Sequence, residues 1–185
     1  MKRIKQIILD STGFTLAETL LAILILLMVS TIVATGIPAA KNAYEKVVLA
    51  SNAEVLLSTT MSELRNELGT ARDVDATNNV ITYRNSYTGS KSKLFRSTGG
   101  DDPAGTIMLQ RYVGEGSVQG SNPLRLVSKK ASDGLYVIYD TVDEPNTTPG
   151  IVTFHNLQVK RETSDTPLAE MDSFSIRVFS ADKNS

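Results

Sequence analysis

At 185 residues the chain has room for one folded domain and a membrane segment besides. Its 19 basic and 20 acidic side chains leave a formal net charge of −1, so no basic field points to a nucleic-acid partner. Cysteine is absent and histidine occurs once, which excludes disulfide staples, a lipidated cysteine anchor and any Cys/His zinc spacing.

Residues 1–13 read as a leader too short to fold, with Lys2, Arg3 and Lys5 as its basic side chains. Residues 19–40 then form a run of 22 without a charge, almost purely aliphatic over 20–29. A helix rises about 1.5 Å per residue, so roughly 20 residues cross a hydrocarbon core of about 30 Å. The run is long enough to span. The basic leader places the amino terminus in the cytoplasm and the remainder of the chain outside. Glu18 is the oddity, a carboxylate at the head of this helix. An ionisable group there is costly and marks a function with a partner. Farther on, Gly36 and Pro38 interrupt the pattern. Pro38 has no N–H for the carbonyl of Ala34, which predicts a kink rather than a stop, because helical patterning resumes at once.

The stretch Gly13-Phe14-Thr15-Leu16-Ala17-Glu18, behind a basic leader and ahead of an apolar helix, resembles the amino terminus of type IV pilins and pseudopilins. The resemblance covers about residues 10–40. It implies that a membrane peptidase cuts between Gly13 and Phe14 and that the new terminal Phe14 is N-methylated. Glu18 would then be the fifth residue of the mature chain and pair with the amine of a neighbour's Phe14 in a filament. The function implied is a non-enzymatic structural subunit of a type IV pilus or of a pilus-like secretion or DNA-uptake filament. Its partners would be the prepilin peptidase/methylase, other pilin or pseudopilin subunits, a membrane assembly platform and the lipid bilayer. No cofactor is implied. The lack of cysteine departs from those pilins whose carboxy-terminal loop is stapled by a disulfide. Two other readings use the same residues. A secretory signal peptide would be cut after Ala39-Ala40, and an anchored binding or adhesion module would never polymerise. Both leave Glu18 without a role.

The expected division is therefore a leader at 1–13, a transmembrane and assembly helix at 14–40 and a soluble domain at 41–185. From Ala39 to about Asp73 the chain is rich in helix formers, and Leu57, Met61, Leu64, Leu68 and Ala71 fall on one helical face, read as core packing. Tyr44, Val47 and Val48 extend that stripe, while Glu63, Arg65, Glu67 and Arg72 read as solvated charges. After Asn78-Asn79 the pattern changes to short β-branched and aromatic runs. Strands are expected near 80–84, 93–96, 106–113, 124–128, 135–141, 151–160 and 173–180. In the last, Phe174, Ile176 and Val178 face one way and Ser173, Ser175 and Arg177 the other. The 135–139 run is apolar on both faces, which suggests a central strand. The stretches 97–105, 114–123, 143–150 and 162–167 read as surface loops. A long helix whose outer half lies across an antiparallel sheet is an α+β fold, as the pilin resemblance also implies.

Catalytic chemistry finds no support. His155 lies in an apolar strand with no acid at a recognisable spacing. Asp140, Asp143 and Glu144 supply oxygen ligands of the kind calcium favours, but in no recognised calcium loop, and Asp101-Asp102 offers less. They read as solvated loop charges. Asn146-Thr147-Thr148 has the form of a glycosylation acceptor.

Overall fold

The computed structural model describes residues 15–112, 122–143 and 150–179. Gly13, Phe14, Glu144 and Asn146, singled out above, lie outside them. The fold is α+β. A single helix, α1 (Leu16–Leu68), precedes two antiparallel sheets. The chain divides into two units between Val47 and Val48, inside this helix.

In the first unit the helix assignment continues through Gly36 and Pro38 without a break. Every large apolar side chain from Leu16 to Ile37 keeps at least half of its surface exposed. Tyr44 and Val47, expected on the core stripe, are 70% and 68% exposed. The stripe starts later. In the second unit Ala53, Leu56, Leu57, Thr60, Leu64 and Leu68 form the buried face of α1, spaced three and four apart as helical geometry requires.

The helix ends at Leu68 and not near Asp73. A Cβ at position 69 would stand 2.6 Å from the Arg65 carbonyl oxygen, so Gly69 is what lets the chain turn there. The amide of Ala71 then bonds the Leu68 carbonyl at 3.0 Å. Ala71 is fully buried, as its place on the stripe suggested, but it leads into a strand.

That strand is β1 (Arg72–Thr77), which joins β2 (Val80–Arg84), β3 (Lys91–Arg96), β4 (Ile107–Arg111) and β5 (Leu124–Arg125) in chain order. The β1–β2 hairpin turns on Asn78 and Asn79, both at positive φ (53° and 61°), between the paired residues Thr77 and Val80. Positive φ at both central residues is the hairpin turn that matches strand twist, and asparagine tolerates it. A short helix, α2 (Lys129–Ser132), follows, with Ser128 as its N-cap.

The second sheet is built on β8 (Ile151–Arg161). On one side it pairs with β6 (Leu135–Ile138) and β7 (Thr141–Asp143), on the other with β9 (Ser164–Arg177). The run expected as one central strand is thus two pieces along one side of β8, separated at Tyr139 and Asp140. Asn156 sits opposite the break with φ 54°. There the inward face of β8 changes parity, from Val152 and Phe154 to Leu157 and Val159. β9 changes with it. Met171 and Ala169 pack on the core from one parity, and Phe174 and Ile176 from the other. Phe174, Ile176 and Val178 are buried and Ser173, Ser175 and Arg177 exposed, as the alternation predicts.

The core lies between the outer half of α1 and the two sheets. Its largest fully buried side chains include Tyr83, Tyr139, Phe154, Leu64 and Leu68. Tyr139 meets Phe154 edge to face, with centroids 5.3 Å apart and planes at 83°. Asn79 ties the sheets together. Its carbonyl accepts from the Tyr139 hydroxyl at 2.8 Å, and its side-chain oxygen accepts from the Val142 amide at 3.0 Å.

Candidate functional site: the head of the apolar helix

The first turn of α1 exposes amides that no earlier residue can satisfy. Thr15 and Glu18 satisfy two of them reciprocally. The Glu18 amide donates to Thr15 Oγ1 at 3.3 Å. Glu18 Oε2 in turn accepts from the Thr15 amide at 3.0 Å and from the Thr15 hydroxyl at 3.1 Å. This is a capping box, with Glu18 at its third helical position. The carboxylate also lies at the positive end of the helix dipole, where negative charge is favoured. The motif gave Thr15 no role of its own, although Thr-x-x-Glu spacing before an apolar run announces such a cap.

Both contacts use the same oxygen. Oε1 of Glu18 accepts no hydrogen bond among the described residues, so the cap fixes the carboxylate while leaving one oxygen available. Behind it, Thr19, Ser30, Thr31 and Thr35 turn their hydroxyls back onto carbonyls of their own helix at 2.7–2.9 Å. Their polar groups are thereby satisfied within the helix, as an apolar medium requires. The helix is long and apolar enough to cross a membrane.

Elsewhere the charged residues have structural employment. Glu67, expected to be solvated, has a side chain only 12% exposed. It accepts from the Tyr83 hydroxyl at 2.8 Å and pairs with Arg111. Burial, and then the Glu67 charge, push the Tyr83 phenol well above its ordinary range. Arg65 lies over the Phe174 ring and Arg72 over that of Phe179, at 5.6 and 5.8 Å from the centroids.

His155 does have an acid. Its Nε2 lies 2.8 Å from Asp143 Oδ2, because the β7–β8 register sets Asp143 beside Thr153 and Thr141 beside His155. Asp140 accepts instead from the Asn156 side-chain amide at 2.5 Å. The two described acids of the calcium candidate thus have separate partners, and Asp102 pairs with Arg125. No group of three metal-ligating side chains occurs among the described residues.

Comparison with known proteins returns no matching family model, no matching curated protein and no matching solved structure.

Proposed function

We propose that this chain is a prepilin-like structural subunit. It is cut between Gly13 and Phe14, N-methylated on Phe14, and polymerised through its first helix into a type IV pilus or a pilus-like secretion or DNA-uptake filament. Before assembly it resides in the membrane, amino terminus cytoplasmic and carboxy-terminal domain outside. The observation that carries this reading is the Glu18 carboxylate, fixed by Thr15 with one oxygen unbonded among the described residues, at the head of a helix whose large apolar side chains are exposed from Leu16 to Ile37. Lipid satisfies aliphatic side chains and offers nothing to a carboxylate, so a cationic partner at that depth is what the site calls for. Cleavage after Gly13 creates one, a positive amine on Phe14, in every copy.

The deciding experiment is the intact mass and amino-terminal sequence of the mature protein. The expected product begins with N-methylated Phe14. A terminus at Ala40 or Lys41 would favour secretion and sink the proposal, and an uncut chain retained in the membrane would favour an anchored module.

A further inference from the structure

Arg125, on β5, has a side chain only 5% exposed. Its Nε donates to Asp102, in the loop between β3 and β4. Its Nη2 stands 3.5 Å from Glu162 Oε1, in the turn between β8 and β9. A guanidinium carries five N–H donors and no acceptor. Nη1 and Nη2 are both buried and make no hydrogen bond among the described residues. Such donors are rarely left unmet in a folded protein.

Arg125 lines a partly open cavity with room of about 20 Å³, where α1, both sheets and α2 come together. One water needs roughly 10–15 Å³ and two to four polar partners. Thr60, Thr106 and Ser132 also line the cavity. Each of these hydroxyls already donates its proton to a backbone carbonyl, of Leu56, Pro103 and Lys129 respectively, at 2.8, 2.7 and 3.1 Å. What they present to the cavity is lone pairs.

We propose that this cavity is a site for a single ordered water molecule, which accepts from the Arg125 guanidinium and donates to the lining hydroxyl oxygens. The chemistry selects a neutral guest over an anion on two counts. Asp102 and Glu162 already outweigh the positive charge, and the hydroxyl protons that an anion would require are committed elsewhere. The water completes the arginine's coordination and so joins β5 and the β8–β9 turn to the buried face of α1. It serves the cysteine-free domain as a polar joint between its layers.

A crystal structure of the full chain in detergent, near 1.5 Å and with crystals soaked in bromide, tests this. The expected map shows one peak of water scattering within about 2.7–3.2 Å of Nη1 or Nη2 and no anomalous signal there. A cavity without density, a protein side chain filling it, or an anomalous bromide peak would each overturn the assignment. Arg125→Met, of similar length without donors, should lose the peak. A water that persists there unchanged would show that the guanidinium does not hold it. Should the variant not fold, the wild-type map decides alone.

Discussion

Glu18 caps α1 and, in the proposed filament, would pair with a neighbour's Phe14 amine, and substitutions separate the two roles. As a cap it uses Oε2, and a glutamine oxygen can occupy the same place, because capping boxes accept Glu or Gln at that position. Glu18→Gln should therefore keep the first turn of α1. It loses only the dipole interaction of the charge, about 0.3–1 kcal/mol. In the proposed filament the same change would leave a neighbour's Phe14 amine unpaired among aliphatic helices, at a cost of roughly 3–5 kcal/mol. At about 1.4 kcal/mol per factor of ten, that is roughly two to four powers of ten in subunit association. Thr15→Val does the converse. It removes the hydroxyl that accepts from the Glu18 amide, worth about 1 kcal/mol, and keeps the charge. The assay is immunoblotting of sheared surface fibres against the membrane fraction from cells making each variant. Wild type should be abundant in fibres, Thr15→Val reduced a few-fold, and Glu18→Gln confined to the membrane although cleaved and stable. Wild-type incorporation of Glu18→Gln would refute the pairing. Equal failure of Thr15→Val would show that the cap, and not the charge, governs assembly.

Other predictions concern the folded domain and the helix. Burial pushes the Tyr139 phenol from 10.0 up to about 12, against the opposing charge of Arg96. The unfolded chain therefore ionises first, so stability is full below about pH 10 and Tyr139 contributes a fall of about 1.4 kcal/mol per unit toward pH 12, with buried Tyr83 adding to the slope in the same direction. Urea unfolding between pH 9 and 12 reads this slope. Tyr139→Phe should remove its share of the slope and leave that of Tyr83, and a slope unchanged in that variant would refute the assignment. Leu64→Ala empties a fully buried position on α1 and should cost about 2–5 kcal/mol in urea unfolding of the soluble domain, while Leu24→Ala should leave it unchanged. Pro38→Ala restores a donor for the Ala34 carbonyl and should stabilise that turn by up to about 3 kcal/mol. Amide exchange around Ala34 that is no slower in the variant would count against a weakened turn there.

What could be read from the sequence follows from how local each signal is. The 80–84 strand and the alternation of Phe174, Ile176 and Val178 are legible because period two is written within a few residues. β1 is not, because charges surround its only inward side chains, Val74 and Ala76, and a helical stripe reaching Ala71 runs into it. The first part of β9 reads as a loop since Ser164 to Pro167 is polar and exposed, and only its pairing with β8 makes it strand. Neither the break in the 135–141 run nor the change of inward face at Asn156 is announced by composition. A constant alternation is the simplest inference from sequence, and one left-handed residue overturns it. Arg111, which pairs with Glu67, and Asp102, which pairs with Arg125, stand 44 and 23 residues away and are visible only in the fold.

The two parts of α1 show why the assembly reading and the fold are separate matters. Over residues 53–68 apolar positions recur on one face and are buried, while the opposite face is polar, so the helix is satisfied by the domain it belongs to. Over 19–40 there is no polar face. A helix apolar all round requires an apolar medium on every side, which lipid provides and which neighbouring helices of the same kind provide equally well. Aliphatic matching cannot choose between these two surroundings, nor fix the height at which one helix stands beside another. Glu18 can do both. In lipid its charge would have its own cap, and in the proposed filament it would also have a neighbour's Phe14 amine, at one axial offset and no other. A slip by one helical turn moves the partners about 5.4 Å apart and leaves both charges unmatched. On the proposed function, a single carboxylate would thus supply what 22 uncharged residues lack, a preference for protein over lipid and a register.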